Sequence, residues 1–304
     1  MTAARATYHE PVLLKECIDA LAIRPGGVYV DVTFGGGGHS RAILAELGPE
    51  GSLVAFDRDA DSARNTITDP RFTLVASDFR WVANHLDYLG KVPVDGLLAD
   101  LGVSSHQFDT PDRGFSFRFD APLDMRMNQR AKRTAADLVN ALDERALATM
   151  LQQYGEVPGA HKVARRIVEA RGKEPIRTTG QLADLLRPLA RRGEERTFLA
   201  QVFQALRIVV NDEMGALKAL LEASAKVVRP GGRLVVMSYH SLEDRLVKNW
   251  MKTGDLEGRE TKDLYGNNLR PFKPAGGKAV QASEEEQARN PRARSARLRT
   301  AIRQ

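Results

Sequence analysis

The sequence predicts an α/β fold: a Rossmann-like, doubly wound parallel sheet interrupted by an all-helical insertion. Three observations carry this reading. Through the first hundred residues, short β-branched apolar runs alternate with stretches of helical character, the rhythm of parallel strands joined by crossover helices. The run at 28–32 passes through Asp31 into four successive glycines, Gly35 to Gly38, and then a helix start. From about 134 to 190 only helical patterning occurs, and a strand pattern returns at 233.

In chain order, the patterning predicts a helix at 11–21, a strand at 27–33, a helix at 39–47, a strand at 52–56, a helix at 59–67, a strand at 72–76, a helix at 79–89 and a strand at 94–99. Residues 103–131 lack periodicity, although Phe115, Phe117 and Phe119 argue against disorder. Helices follow at 134–140, 143–153, 160–171 and 179–190, then a long helical pattern at 195–227 with a break near Asn211 and Asp212. Arg229-Pro230-Gly231-Gly232 turns the chain into a buried strand at 233–240, followed by a helix at 241–252, an extended loop at 253–290 and a last strand at 295–303. The domains expected from this are 1–108 with 205–304 as the α/β core, and 109–204 as a loop plus helical substrate-recognition insertion.

Composition sets bounds. Apolar content of 42% and charged content of 28% are those of a soluble globular chain. No apolar signal region and no bilayer-length apolar run occur, so a cytoplasmic location with no membrane partner is expected. A single cysteine, Cys17, on an amphipathic helical pattern, excludes an internal disulfide framework and a cysteine-rich zinc site. No His/Asp/Glu group has metal-ligand spacing, so no metal is expected. The net charge of +6 is matched by the tail alone, where Arg289, Arg292, Arg294, Arg297, Arg299 and Arg303 occur without an acid. Such a stripe suits a phosphate-rich partner or a salt-bridged terminal element. Nothing in the sequence requires a homodimer, and nothing forbids one.

Asp31, Asp57, Asp78 and Asp100 stand at or just after four strand ends, where open α/β sheets bind ligands. A nicotinamide dinucleotide would want Gly-x-Gly-x-x-Gly, but Ser40 stands at the third glycine. Asp31-x-x-x-Gly35-x-Gly37 instead looks like the first motif of class I S-adenosylmethionine methyltransferases. Asp57, 19 residues beyond Gly38, is spaced to reach a ribose diol, and Asp78-Phe79 suits an adenine edge and face.

Longer blocks then occur in order: His9-Glu10-Pro11-Val12-Leu13-Leu14, Thr33 to Arg41, Asp57-Arg58-Asp59, Asp100-Leu101-Gly102-Val103-Ser104-Ser105, Arg113-Gly114-Phe115-Ser116-Phe117, Pro122 to Met127, Phe203 to Ile208, His240 to Arg245, and Asn290 to Ser295. Together they closely resemble the ribosomal RNA small-subunit methyltransferase H family, also called MraW. The resemblance implies a class I methyltransferase core with an inserted helical domain. It implies methylation of the exocyclic N4 of one cytidine in the decoding region of 16S ribosomal RNA, within the small ribosomal subunit. It also implies cofactor contacts from Gly37, Gly38, His39, Asp57, Phe79, Asp100 and Gln107. Two blocks depart from the family's wording: Thr197-Phe198-Leu199-Ala200-Gln201, and Tyr154-Gly155-Glu156-Val157-Pro158.

Direct in-line transfer needs acceptors for the amino protons of cytosine, and Asp100, Ser104 and Ser105 are the candidates. Cytosine C5 chemistry would need a thiol nucleophile, and Cys17 lies in the wrong region. An unstacked base would need an aromatic neighbour. Phe115, Phe117, Phe119 and Tyr239 are candidates, with His240 beside the same pocket; the phenylalanines equally suit a small core pinning the loop. Arg113, Arg126, Arg292 and Arg294 are candidate phosphate contacts. Two other classes compete: a non-catalytic ribosome-binding factor that keeps the fold, and a nicotinamide-dependent dehydrogenase. A serine hydrolase built on His240 and Ser241 is disfavoured, because neighbouring residues on a strand face opposite ways.

Overall fold

The computed structural model describes residues 11–266 and 268–304; His9 and Glu10 of the first block lie outside them. The described chain divides into two compact units, one at 11–102 with 214–304 and one at 103–213.

The first unit is built on seven strands: β1 (Val28–Asp31), β2 (Ser52–Phe56), β3 (Phe72–Val75), β4 (Val94–Asp100), β5 (Val228–Ser238), β6 (Phe272–Pro274) and β7 (Arg297–Arg303). They lie in the order β3-β2-β1-β4-β5-β7-β6. The first five are parallel, and β7 pairs antiparallel with both β5 and β6. The central strands are apolar on both faces: six of the seven residues of β4 are buried. That is the pattern of a parallel sheet covered by helices on either side. One face carries α1 (Leu14–Leu21) and α2 (Gly38–Glu46), whose Cys17, Leu21, Ile43 and Leu44 pack with Leu53 and Leu98. The other packs α3 (Val82–Tyr88) through Val82 and Leu86 against Leu97 and Val236. At the far end of the strands Asp95 ties β1 to β5. It accepts from the Val28 N–H at 2.8 Å, pairs with Arg229 at 2.5 Å and binds Arg24. Burial alone would raise this carboxyl, but those partners outweigh it and hold it below its ordinary value.

The second unit is helical: α4 (Ser105–Asp109), α5 (Ala135–Ala141), α6 (Glu144–Gly155), α7 (Ala160–Arg171), α8 (Thr179–Leu186) and α9 (Glu195–Val210). Thr134, Asp143 and Thr178 cap three of these with their side chains, which explains why each helix starts where its apolar pattern does. The unit opens at 103 and closes at 213, wider than the expected 109–204. The reason is packing: Val202, Phe203 and Leu206 of α9 belong to the same core as Leu147 and Leu151 of α6. The expected break at Asn211 separates α9 from α10 (Glu213–Val227), whose Leu217, Leu220 and Leu221 pack under the sheet. The first unit then continues through α11 (Ser241–Thr253) and α12 (Glu284–Arg289). Both β6 and α12 fall inside the stretch read from sequence as a loop, being only three and six residues long.

Asn211 holds the irregular segment of the helical unit. Its buried amide accepts from the Met127 N–H at 2.7 Å and donates to the Met125 and Arg207 carbonyls at 2.8 and 2.9 Å. Met125 is fully buried at φ 61°, a conformation that needs such support. Asn211→Ala strands a buried donor and acceptor and should cost about 2–4 kcal/mol. A urea unfolding midpoint unchanged from wild type would contradict this.

Candidate active site

β1 and β4 are neighbours in space but not in sequence, so the sheet order reverses between them. The crevice beyond their carboxyl ends is where such sheets bind ligands. Asp31 ends β1 and is buried. It accepts from the Thr33 N–H at 3.0 Å and from the Ser40 hydroxyl at 2.7 Å, lashing the turn to the first turn of α2. Thr33 in turn accepts from the Asp100 N–H at 2.7 Å. The acid at β1 is therefore structural, and it sets the distance between the glycine turn and the end of β4.

The turn itself needs glycine at Gly37, where φ is +76° and a Cβ would sit 2.7 Å from the Arg41 guanidinium. Asn65 Nδ2 donates to the Gly35 carbonyl at 3.0 Å, and Arg41 donates to that of Gly36 at 2.8 Å. Gly38 and His39 open α2. His39 is buried, and its Nε2 has no hydrogen-bond partner among the described residues.

Asp57 follows β2. Its Oδ2 accepts from the Gly35 N–H and its Oδ1 from the Asp59 N–H, each at 2.8 Å. Burial pushes its carboxyl up to about 6 against the pull of those two donors. One accepted bond per oxygen leaves acceptor capacity on both. Phe79 opens a single turn of 3₁₀ helix capped by Asp78. Asp78 is engaged by Arg58 at 3.1 Å and Arg80 at 3.4 Å, so its carboxylate positions Phe79 and two cations.

Asp100 closes β4. The Tyr239 hydroxyl donates to its Oδ1 at 2.8 Å, and His39 Nδ1 lies 3.8 Å from its Oδ2. The side chain keeps a quarter of its surface exposed. Burial pushes its carboxyl up to about 6, opposed by His39 and by the Tyr239 hydrogen bond. Burial and the Asp100 charge raise the Tyr239 phenol well above its ordinary value, so it donates throughout the physiological range. The Tyr239 N–H donates to buried Glu243 at 2.9 Å, so α11 fixes the tyrosine's backbone. The sequence placed Tyr239 only beside a base-binding pocket; its bond to Asp100 spans 139 residues and leaves no local signal. The structure therefore brings together Gly37, Gly38, His39, Asp57, Asp100 and Tyr239 within the first unit.

Other candidates have structural employment. Ser104 caps α4, accepting from the Gln107 N–H at 3.2 Å, while Gln107 Oε1 accepts from the Ser104 N–H at 3.1 Å. Ser105 is the first residue of that helix. Arg113 is buried and donates to the Arg126 and Met127 carbonyls. Arg126 chelates Asp124 and donates to the Ala131 carbonyl at 2.7 Å. Phe115 lies in the helical core, and Phe117 packs edge-on to Phe203 at 5.2 Å between centroids. Arg113 and Phe115 are buried and Arg126 and Phe117 half-buried, and through these contacts the four hold the segment together. His240 caps α11, with its Nδ1 3.4 Å from the Glu243 N–H. In the tail, Arg297 and Arg299 pair with Asp244 and Arg303 donates to the Ala225 carbonyl, whereas Arg294 is exposed and Arg292 half-buried. Sequence reasoning missed Thr33 as the support of Asp100, and read Glu243 as a helix-opening or substrate residue rather than the support of Tyr239. Among the described residues no helix is long and apolar enough to cross a membrane.

The chain is similar to known proteins over nearly its whole length. Relatives named ribosomal RNA small subunit methyltransferase H include one from Parabacteroides distasonis, 56% identical over 295 residues and 97% of each chain. Another, from Cytophaga hutchinsonii, is 54% identical over 299 residues, covering 98% of this chain and all of the other. A solved rRNA methylase from Streptococcus thermophilus matches at TM-score 0.39 and 13% identity, over 98% of this chain and 99% of that one. The model of the MraW methylase family matches residues 6–304, and with relatives above half identity over nearly their whole length, the chain belongs to that family.

Proposed function

We propose that this chain methylates N4 of one cytidine in the decoding region of 16S ribosomal RNA, acting on the small ribosomal subunit with S-adenosylmethionine. The observation that carries the chemistry is Asp100: a carboxylate with a raised pKa, one oxygen held by Tyr239, at the strand end beside the glycine turn. The names of the relatives support ribosomal RNA as the substrate class.

The residues fit the cofactor. His39 Nε2 is a buried polar atom awaiting a partner, and both Asp57 oxygens retain acceptor capacity for a ribose diol. Gly37, Gly38, His39, Asp57, Phe79 and Asp100 would hold it, with Phe79 against the adenine; the family resemblance adds Gln107. When bound, S-adenosylmethionine supplies an electrophilic methyl group on a sulfonium.

The cytosine amino nitrogen is a poor nucleophile because its lone pair is delocalised into the ring. Tyr239 occupies Asp100 Oδ1, which leaves Oδ2 to accept an N4–H. That bond opposes the delocalisation and fixes the nitrogen's orientation. A carboxylate with a pKa of about 6 is ionised at pH 7 and basic enough to take the proton that N4 must shed. Ser104 is spent on its helix cap, which favours Asp100 over it as acceptor. Exposed Arg294 and neighbouring Arg292 remain the tail's candidate phosphate contacts.

The test is incubation with labelled S-adenosylmethionine and small subunits from cells lacking the matching enzyme, followed by nucleoside mass analysis. N4-methylcytidine is the expected product; 5-methylcytidine, or no incorporation into subunits or free RNA, would overturn the reading. A pH dependence also follows. Protonating Asp57 removes acceptor capacity, so cofactor affinity should level off above about pH 7 and be about tenfold weaker at pH 5 than at pH 7. Stability of the ligand-free chain should move the other way. Asp57 and Asp100 both hold protons in the folded state that the unfolded chain releases between about pH 4 and 6, so they favour folding at the acid side of that window and cease to as pH rises through it. Titration calorimetry at the two pH values checks the first statement.

A further inference from the structure

A second cavity of about 450 Å³ lies at the β7 edge of the sheet. Its walls come from β5, α11, β7 and an arch of chain between β6 and α12. The Ala275 N–H donates to the Thr300 carbonyl at 2.9 Å and Val280 pairs with Leu298. Between these two attachments the chain leaves β7 through Gly276, Gly277 and Lys278, which line the cavity. Five cations line it as well: Arg233, Lys248, Lys252, Lys278 and Arg299, against one acid, Asp19. Asp19 is paired with Lys15 at 2.5 Å, Arg299 with Asp244 at 2.7 Å, and Lys252 lies 3.7 Å from Glu260. Arg233, Lys248 and Lys278 have no ion pair or hydrogen-bond partner among the described residues.

Three uncompensated cations from three separate elements, converging on one concavity beside a glycine backbone, make a site of positive potential. The proposed active site supplies no reason for it. Leu298 pairs with Met237, which pairs with Asp100, so the β7 wall is level with the acceptor carboxylate, while Arg233, which pairs with Gly96, lies four residues, roughly 13 Å, back along the strand. A stacked nucleic-acid strand advances about 3.4 Å per phosphate, which makes that separation about four nucleotides. We propose that this cavity is a phosphate-binding subsite that grips the backbone of the substrate RNA within about four nucleotides of the methylated base. This rests on the reading of the substrate as RNA. Lysine ammonium groups suit the role, since they neutralise phosphates without demanding one geometry.

The test compares the full-length wild type with Lys248→Ala/Lys278→Ala, and with Lys218→Ala/Lys226→Ala on α10 as a control of equal charge change. Binding to a labelled single-stranded fragment of the target RNA is measured across salt concentrations, with cofactor affinity as the check on folding. The cavity variant should bind roughly tenfold more weakly near physiological salt, and its log–log salt slope should be shallower by about 1.4, two contacts at ~0.7 each. KM for RNA should rise with kcat little changed. Unchanged affinity and slope in the cavity variant, or an equal loss in the α10 control, overturns the subsite while leaving the RNA methyltransferase reading intact. A wild type that binds cofactor but neither this fragment nor small subunits overturns both. Inorganic phosphate that raises the melting temperature of wild type but not of the cavity variant, with RNA affinity equal in the two, would make the occupant a free phosphate and also overturn the proposal.

Discussion

Asp57→Ala should lower affinity for S-adenosylmethionine by at least a hundredfold. A hydrogen bond to a charged group contributes about 1.5–3 kcal/mol, and the carboxylate is spaced to accept two from the ribose diol. Losing both corresponds to a factor of roughly 10² to 10⁴. The substitution also strands the Gly35 and Asp59 N–H groups, which now donate to Asp57 at 2.8 Å. The turn would loosen as well as lose its ligand contact. Asp57→Asn separates the two effects. Its carbonyl oxygen can keep one backbone donor, so the turn should hold better while affinity still falls by tenfold or more. Titration calorimetry reads the affinities and circular dichroism the fold. An Asp57→Ala variant that binds within threefold of wild type would remove Asp57 from the cofactor site.

The parts of this molecule that were legible in its sequence are those governed by local periodicity. The strand at 52–56 and the helix at 160–171 are found with the bounds their patterns imply, and the last strand begins within two residues of its expected start. Short elements were not legible. Three residues in β6 cannot establish an alternation, so β6 exists only because β7 offers it an edge. The basic tail was ambiguous for a physical reason. Charge counts do not say which arginines meet an acid, and Asp244, more than fifty residues earlier, claims two of them. The phenylalanines and arginines of 113–126 illustrate the same limit: their composition fits a ligand surface and a pinned loop equally, and only burial decides. The two blocks that depart from the family's wording lie side by side. Gly155 at the end of α6 lies against α9, where a Cβ would meet the Gln201 carbonyl at 2.5 Å, and Gln204 Nε2 donates to the Tyr154 carbonyl at 2.9 Å. That neighbourhood is invisible until the helices are packed.

The Asp100–Tyr239 pair carries the other large effect. Asp100→Ala should lower kcat by about 10³, within the range for a positioned proton acceptor. That loss alone would not show how the pair works, since Asp100 also stands in the proposed cofactor set. Tyr239→Phe is the sharper experiment. It removes one oxygen, leaves the ring against Gly102, and deletes the hydrogen bond that holds Asp100 Oδ1. That bond favours the ionised carboxylate, so without it the Asp100 pKa should climb above its present value of about 6. The acid limb of the kcat profile should therefore move to higher pH, with activity at pH 7 down roughly tenfold and partly recovered at pH 8.5. A residue that merely filled space would lower activity by the same factor at every pH. If the limb stays in place, Tyr239 supports the pocket's shape and the Asp100 pKa is set by burial and its charged neighbours instead.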